Sequence, residues 1–191
     1  MTETKLYELD LQLIVVPIQG ITPLLMNRFT KEVRKSIEDA QQGTAKRGKA
    51  PRDPEAEFKA SQYRTESDEL YVPGVAFKEA MVRAAKATGM AMVDARTAFH
   101  VVGQELPLVC SEPYMRSDRV VIGRGTTSMA YRAAIDEWEV EVPIRFNARA
   151  ISAEQLVNLL QLAGFGVGIL AWRVECKGSF GMFEVNTNGK A

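Results

Sequence analysis

Histidine is almost missing from this sequence: His100 is the single one in 191 residues. No pair of imidazoles can divide acid and base work, and His100 sits between Phe99 and Val101 in an apolar stretch, the setting of a structural residue. Cysteine is scarce as well. Cys110 and Cys176 lie far apart with no spacing suited to zinc, so buried reduced thiols, no metal and a cytoplasmic location are expected. Net charge is also absent, since 24 Lys and Arg balance 24 Asp and Glu. Any polyanion must therefore be met by a localised basic surface, with acids elsewhere. No run is long and apolar enough to cross a bilayer, and Met1-Thr-Glu-Thr-Lys5 is too polar for a signal peptide, so no membrane role is expected. The phosphate-binding P-loop, the nucleophile elbow and the dinucleotide fingerprint are all lacking, and no cofactor is expected.

What is present suits one domain over residues 1–191, with 46% hydrophobic and 25% charged residues. Leu9, Leu11, Leu13 and Val15 alternate with Asp10, Gln12 and Ile14, the period of a half-buried strand running from about residue 6 to 17 or 19. A bend with apolar anchors follows, and Thr30 is placed to cap a short helix from Lys31 to about Gln42. Residues 43–54 carry Lys46, Arg47, Lys49 and Arg52 among glycines and prolines and read as an exposed loop. Residues 55–70 are polar and weakly helical at best.

Tyr71-Val-Pro-Gly74 precedes a helix over 75–87 in which Phe77, Ala80, Met81, Ala84 and Ala85 share a face, with Lys78, Arg83 and Lys86 largely opposite. Residues 98–109 are strand-like with interruptions at Gly103 and Pro107. Residues 111–134 read as a protruding hairpin bearing Arg116, Arg119, Arg124, Tyr131 and Arg132. Trp138, Val140, Val142, Ile144 and Phe146 alternate with Glu139, Glu141 and Arg145, the clearest strand in the chain. Ser152-Ala-Glu-Gln155 is a capping box opening a helix that buries Leu156, Leu159, Leu160 and Ala163 and ends at Gly164.

Five glycines then fall within 164–181, around Arg173 and Lys177, before a last strand ending at Val185. Such a cluster implies positive φ angles or another molecule pressing on the backbone, and the cations make a phosphodiester the natural candidate. With residues 21–70 and the hairpin set aside as insertions, the order is strand, helix, strand, strand, helix, strand. That order is the α+β, ferredoxin-like or RRM-like βαββαβ arrangement: an antiparallel sheet with two helices on one face and the other face free for a ligand.

Two motifs sit at equivalent places on this order. Tyr71-Val-Pro-Gly-Val-Ala-Phe-Lys-Glu-Ala80 resembles the "(I/V)-P-G-S-S-(L/F)-K-G" approach to the first helix in the repeat-associated mysterious proteins (the RAMP superfamily), the RNA-binding superfamily of CRISPR effector complexes. Residues 164–181 resemble that superfamily's C-terminal glycine-rich loop. The resemblance implies a non-catalytic backbone subunit of antiviral defence that binds single-stranded RNA, polymerises head-to-tail along it, and meets other effector subunits. In those terms residues 116–132 are the thumb, the loop holding Lys46 to Arg52 lies near the bound strand, and Lys177, Gly178 and Phe180 fall where the glycine loop meets RNA. Glu79 replaces a frequent glycine, the chain is short and its charge balanced, features that suit a stand-alone relative from a phage or other mobile element.

Phosphate binding calls for several cations on one surface: the 46–52 loop, the hairpin arginines, the Lys78/Arg83/Lys86 helix face, Arg173 and Lys177. Phe180 and Tyr131 are the expected stacking residues, ahead of Phe99 and Tyr114. Two alternatives stay open: a single-stranded DNA-binding or annealing protein on the same fold, and a small endoribonuclease using His100 or a metal held by the acids of residues 136–141.

Overall fold

The computed structural model describes residues 8–44, 51–122 and 125–186. In chain order these form β1 (Leu11–Gly20), β2 (Leu24–Leu25), α1 (Lys31–Gln41), α2 (Pro54–Ser61), β3 (Tyr71–Pro73), α3 (Gly74–Ala84), α4 (Met92–Ala98), β4 (Phe99–Val101), β5 (Glu105–Pro107), β6 (Val109–Cys110), β7 (Tyr114–Ile122), β8 (Thr126–Ile135), β9 (Trp138–Asn147), α5 (Ala153–Gly166) and β10 (Phe183–Val185).

The main sheet has the order β10-β1-β9-β4, every neighbour antiparallel, with β6 added beside β9. Removing the other elements leaves β1, α3, β4, β9, α5, β10, the expected ferredoxin-like order. The strand β9 alternates as its sequence dictates: Trp138, Val140, Val142, Ile144 and Phe146 are buried and Glu139, Glu141 and Arg145 exposed. They pack beneath α3 and α5, which contribute Phe77, Met81, Leu156, Leu160 and Ala163 to the same core.

The strand β1 inverts the expected face. Leu9, Leu11, Leu13 and Val15 stay 53–58% exposed, while Val16 and Ile18 are buried. Side chains alternate in a strand, so one choice fixes both faces. Ile14, Val16 and Ile18 win the covered face because they lie in register with Ile144, Val142 and Val140, which fill the core beneath the helices.

Other boundaries moved for local reasons. Residues 54–61 form a helix rather than a weakly helical tract: Asp53 Oδ1 accepts from the backbone N–H groups of Glu55 and Ala56, and Pro54 opens the first turn. The hydroxyl of Ser61, buried at its end, accepts from Ala133 N at 2.9 Å and so ties α2 to β8. The helix expected to reach residue 87 stops at Ala84 and tightens into a 3-10 turn ending at Gly89 (φ +81°). The strand-like stretch 98–109 resolves into β4, β5 and β6, and α4 precedes it where the sequence reading had no element. Thr30 and the Ser152/Gln155 box cap as expected.

Gly164 does not end α5, which continues to Gly166. Its requirement for glycine is steric: a Cβ there would overlap the Phe183 carbonyl of β10, whereas one on Gly166 meets nothing within 4 Å. Gly164→Ala should therefore destabilise the protein by about 1–3 kcal/mol. Gly166→Ala should be neutral or stabilising by up to about 1 kcal/mol. Urea unfolding of both variants checks the pair, and equal effects would refute the packing argument.

Candidate nucleic-acid interface

Between α5 and β10 the backbone turns through Gly168, Leu170, Trp172, Lys177 and Gly181 with φ of +71°, +60°, +49°, +64° and +65°. Three of these are L residues in a region that costs them on the order of 1–3 kcal/mol each, so the surroundings must over-determine the path. They do so through the bend after β1. Gly181 N donates to Pro23 O at 2.9 Å, Ala171 N to Leu25 O at 3.1 Å, and Met182 N to Thr22 Oγ1 at 3.0 Å. Across the loop, Phe180 N reaches Trp172 O at 3.2 Å. A Cβ on Gly178 would collide with the Trp172 carbonyl, so this glycine answers to the protein's own backbone and not to an external molecule.

The root of the β7–β8 hairpin stands over this loop. Arg116 and Arg132 are opposite each other in register and share one face of the hairpin. The Arg116 guanidinium lies 5.0 Å from the Phe180 ring centre, and that of Arg132 lies 5.7 Å from Trp172. The two rings are 6.2 Å apart and tilted by 43°. Cations over aromatic faces are attracted by the ring quadrupole, here through four side chains from three segments. Asp118, 6% exposed, accepts from Arg116 Nε at 2.9 Å. Its Oδ2 and Arg132 Nη1 are buried with no partner among the described residues. Burial pulls the Arg132 guanidinium below its ordinary pKa, opposed by Asp118.

Arg83 and Arg173 join the same neighbourhood through one acid. Glu175 Oε1 accepts from Arg83 at 2.5 Å, and Oε2 accepts from Arg173 Nη2 at 3.1 Å. Burial pushes Glu175 up, but hydrogen bonds from both arginines outweigh it and hold the carboxyl below its usual range. Two guanidinium groups against one carboxylate leave a positive charge beside the loop. Lys177, exposed at the loop's turn, makes no ion pair among the described residues.

The structure thus brings together Arg83, Arg116, Arg132, Arg173, Lys177, Gly178 and Phe180. Trp172 belongs with them although the sequence reading passed it over; a tryptophan inside the glycine run was the available signal. The rest of the expected set is dispersed. Arg119 lies on the opposite hairpin face and Tyr131 carries Arg52 over its ring at 5.5 Å, with Arg52 also bound to Glu57 and Ser128. Lys86 is exposed beyond α3. Lys46, Arg47, Lys49 and Arg124 lie outside the described residues.

Lys78 is half-buried and engaged internally: Nζ donates to Arg96 O at 2.9 Å and to Phe99 O, closing the end of α4 above the Phe99 ring. Phe99 is fully buried and Tyr114 donates its hydroxyl to Asp136. The expectation of two buried thiols fails at Cys176, which is exposed; Cys110 is half-buried, and burial raises its thiol pKa.

The open sheet face is a poor surface for phosphates. It carries the leucines of β1 beside Glu139 and Glu141, and His100 pairs across from Arg145. Burial, then Lys78, lowers the His100 pKa. Among the described residues no three His, Cys, Asp or Glu side chains are grouped to hold a metal ion, and no helix is long and apolar enough to cross a membrane.

The class defined by this frame is α+β with an antiparallel ferredoxin-like sheet, a hairpin added before the third sheet strand and a glycine loop after the second covering helix. Within that class, a crystal structure of Cmr6 from Pyrococcus furiosus matches with a TM-score of 0.50 over 94% of this chain and 100% of that chain. The two sequences are 9% identical, so the likeness is one of fold. No family model and no curated protein sequence matches.

Burial pulls Lys78 down to about 8, with Glu79 acting the other way. The unfolded chain then keeps this proton to higher pH than the folded one, so stability should rise as pH climbs from about 8 towards the ordinary lysine value of 10.5. Lys78→Met should lack that rise. Urea midpoints at about pH 7 and about pH 10 measure it, and an equal pH response in both proteins would refute the assignment.

Proposed function

We propose that this chain is a non-catalytic, single-stranded RNA-binding subunit of the RAMP kind that assembles head-to-tail along its strand. The observation that carries the reading is the Arg116–Phe180 and Arg132–Trp172 stack beside Lys177. Guanidinium groups stacked over aromatic rings suit a backbone of phosphates and the π-faces of unstacked bases, with little demand for a particular sequence. The fold shared with Cmr6 agrees with the RAMP resemblance of the Tyr71–Ala80 and 164–181 motifs. Overall neutrality is compatible with it, because the cations are concentrated at the loop while Glu139 and Glu141 lie on the open sheet face.

Catalysis has no comparable support. His100 stands on the open sheet face beside Arg145, away from the loop residues to which the strand is assigned. His100→Ala should leave the integrity of bound RNA unchanged on a denaturing gel, and slower RNA loss in the variant would revive the endoribonuclease reading.

Fluorescence anisotropy with a labelled single-stranded RNA and the matching DNA tests the binding itself. RNA should bind more tightly; preference for DNA would favour the annealing-protein alternative. Trp172→Ala should weaken binding by about 1–3 kcal/mol. Lys177→Ala should reduce the slope of log affinity against log salt by about 0.7, one phosphate contact on a single strand. Unchanged affinity and slope in both variants would remove this loop from the interface.

A further inference from the structure

The open face of the main sheet carries apolar side chains that the core does not use. Leu9, Leu11, Leu13 and Val15 are 53–58% exposed. A lone exposed leucine is ordinary, whereas a contiguous apolar stripe marks a surface that meets another surface. Residues directly opposite each other in antiparallel strands share a face, so the register gives this surface row by row. At its centre Val15 stands beside Pro143, with Leu13 beside Arg145 in the row to one side and Pro17 beside Glu141 in the row to the other.

That order has a symmetry. Arg145 and Glu141 are both exposed, and each lies two residues from Pro143, on opposite sides of it and about 6.8 Å away along the strand. A second copy turned by 180° about a line crossing both strands at the Val15 row sets its Pro17 on Leu13 and its Val15 on Val15. The same rotation brings Arg145 of each copy against Glu141 of the other. The face is thus complementary to itself in both apolarity and charge, the condition for an isologous contact. Glu139, Glu141 and Glu184 share this face, which suits neither a phosphate backbone nor a lipid surface.

We propose that two copies of this chain pair back to back through these faces, with the two-fold axis at Val15 and Pro143. The sheets then stack about 10 Å apart with their strands within about 30° of one another. Two Arg145–Glu141 ion pairs flank a centre of leucine, valine and proline. Nine paired residues on β1 and β9 make the contact about 30 Å long, and two to three strands make it about 10 Å wide. That size falls at the small end for specific pairs, so the dimer is reversible, with a Kd of about micromolar order. No residue of the arginine–aromatic stack belongs to this face, so pairing does not draw on the loop assigned to nucleic acid. The contact closes at two copies and is distinct from a head-to-tail one.

Charge exchange tests the pairing with nucleic-acid-free protein at about 50 mM salt, where ion pairs are weakly screened. Sedimentation equilibrium of the wild type should show monomers and dimers in exchange. Glu141→Arg and Arg145→Glu each turn two attractive pairs into two like-charge contacts and should weaken dimerisation by about ten-fold or more. The double variant, Glu141→Arg with Arg145→Glu, should recover it. So should an equal mixture of the two single variants, because their heterodimer again holds two opposite pairs; a single variant that had lost its fold would not be rescued in this way. Leu13→Gln, at a position 55% exposed, should weaken the dimer with both ion pairs intact. Wild-type protein that stays monomeric up to about 100 μM, single exchanges that dimerise like wild type, or a double variant that fails to recover would each overturn the proposal. Flotation of wild-type protein with neutral phosphatidylcholine vesicles, lost in Leu13→Gln, would overturn it too by giving the face to a lipid surface.

Discussion

The organisation of this protein depends on a small set of backbone hydrogen bonds between the bend that follows β1 and the loop that precedes β10. Pro23 O and Leu25 O accept from Gly181 and Ala171, while Thr22 Oγ1 accepts from Met182 N. Leu24 and Leu25 are also β2, in register with Ile135 and Ala134 at the root of the hairpin. One buried segment therefore holds the sheet, the glycine loop and the hairpin at fixed relative positions. Leu24, Leu25 and Met26 are wholly buried, which keeps water from competing for the Leu25 carbonyl.

From that constraint the chemistry of the interface follows. Positive φ at Leu170, Trp172 and Lys177 is affordable only where the loop is pinned on both sides, and it turns Trp172 toward Phe180 and the hairpin arginines. At the hairpin root beside the loop, Asp118 Oδ2 and Arg132 Nη1 are buried without partners among the described residues. Unsatisfied groups of this kind are tolerated where a ligand or ordered water completes them, a reason to place the binding chemistry at the hairpin root and not on the leucine-lined sheet face.

Much of the frame was legible because its signals are local. The alternation from Trp138 to Phe146 reads as a strand in any context, and Ser152 with Gln155 announces a helix start through two reciprocal hydrogen bonds. Where the sequence offered two apolar sets, it misled: the leucines of β1 form a cleaner alternation than Ile14, Val16 and Ile18, yet they face outward. The helix α4 escaped notice because seven residues with two buried alanines leave almost no periodic trace. The site was half legible. Arg116, Arg132 and Phe180 stand out by type, but nothing in the sequence reveals that α4 ends within reach of the Lys78 amine.

By itself the sequence determined the long strands, the two covering helices, their ferredoxin-like order and the concentration of arginine in the hairpin, because hydrophobic period, capping and turn chemistry act within a few residues. Tertiary structure decided which face of β1 is covered, which arginines are spent on internal carboxylates, and that Trp172 completes the cluster. Those outcomes depend on how separate segments pack, as where Leu25 accepts from Ala171 and Arg132 lies over Trp172, and no local pattern encodes such contacts.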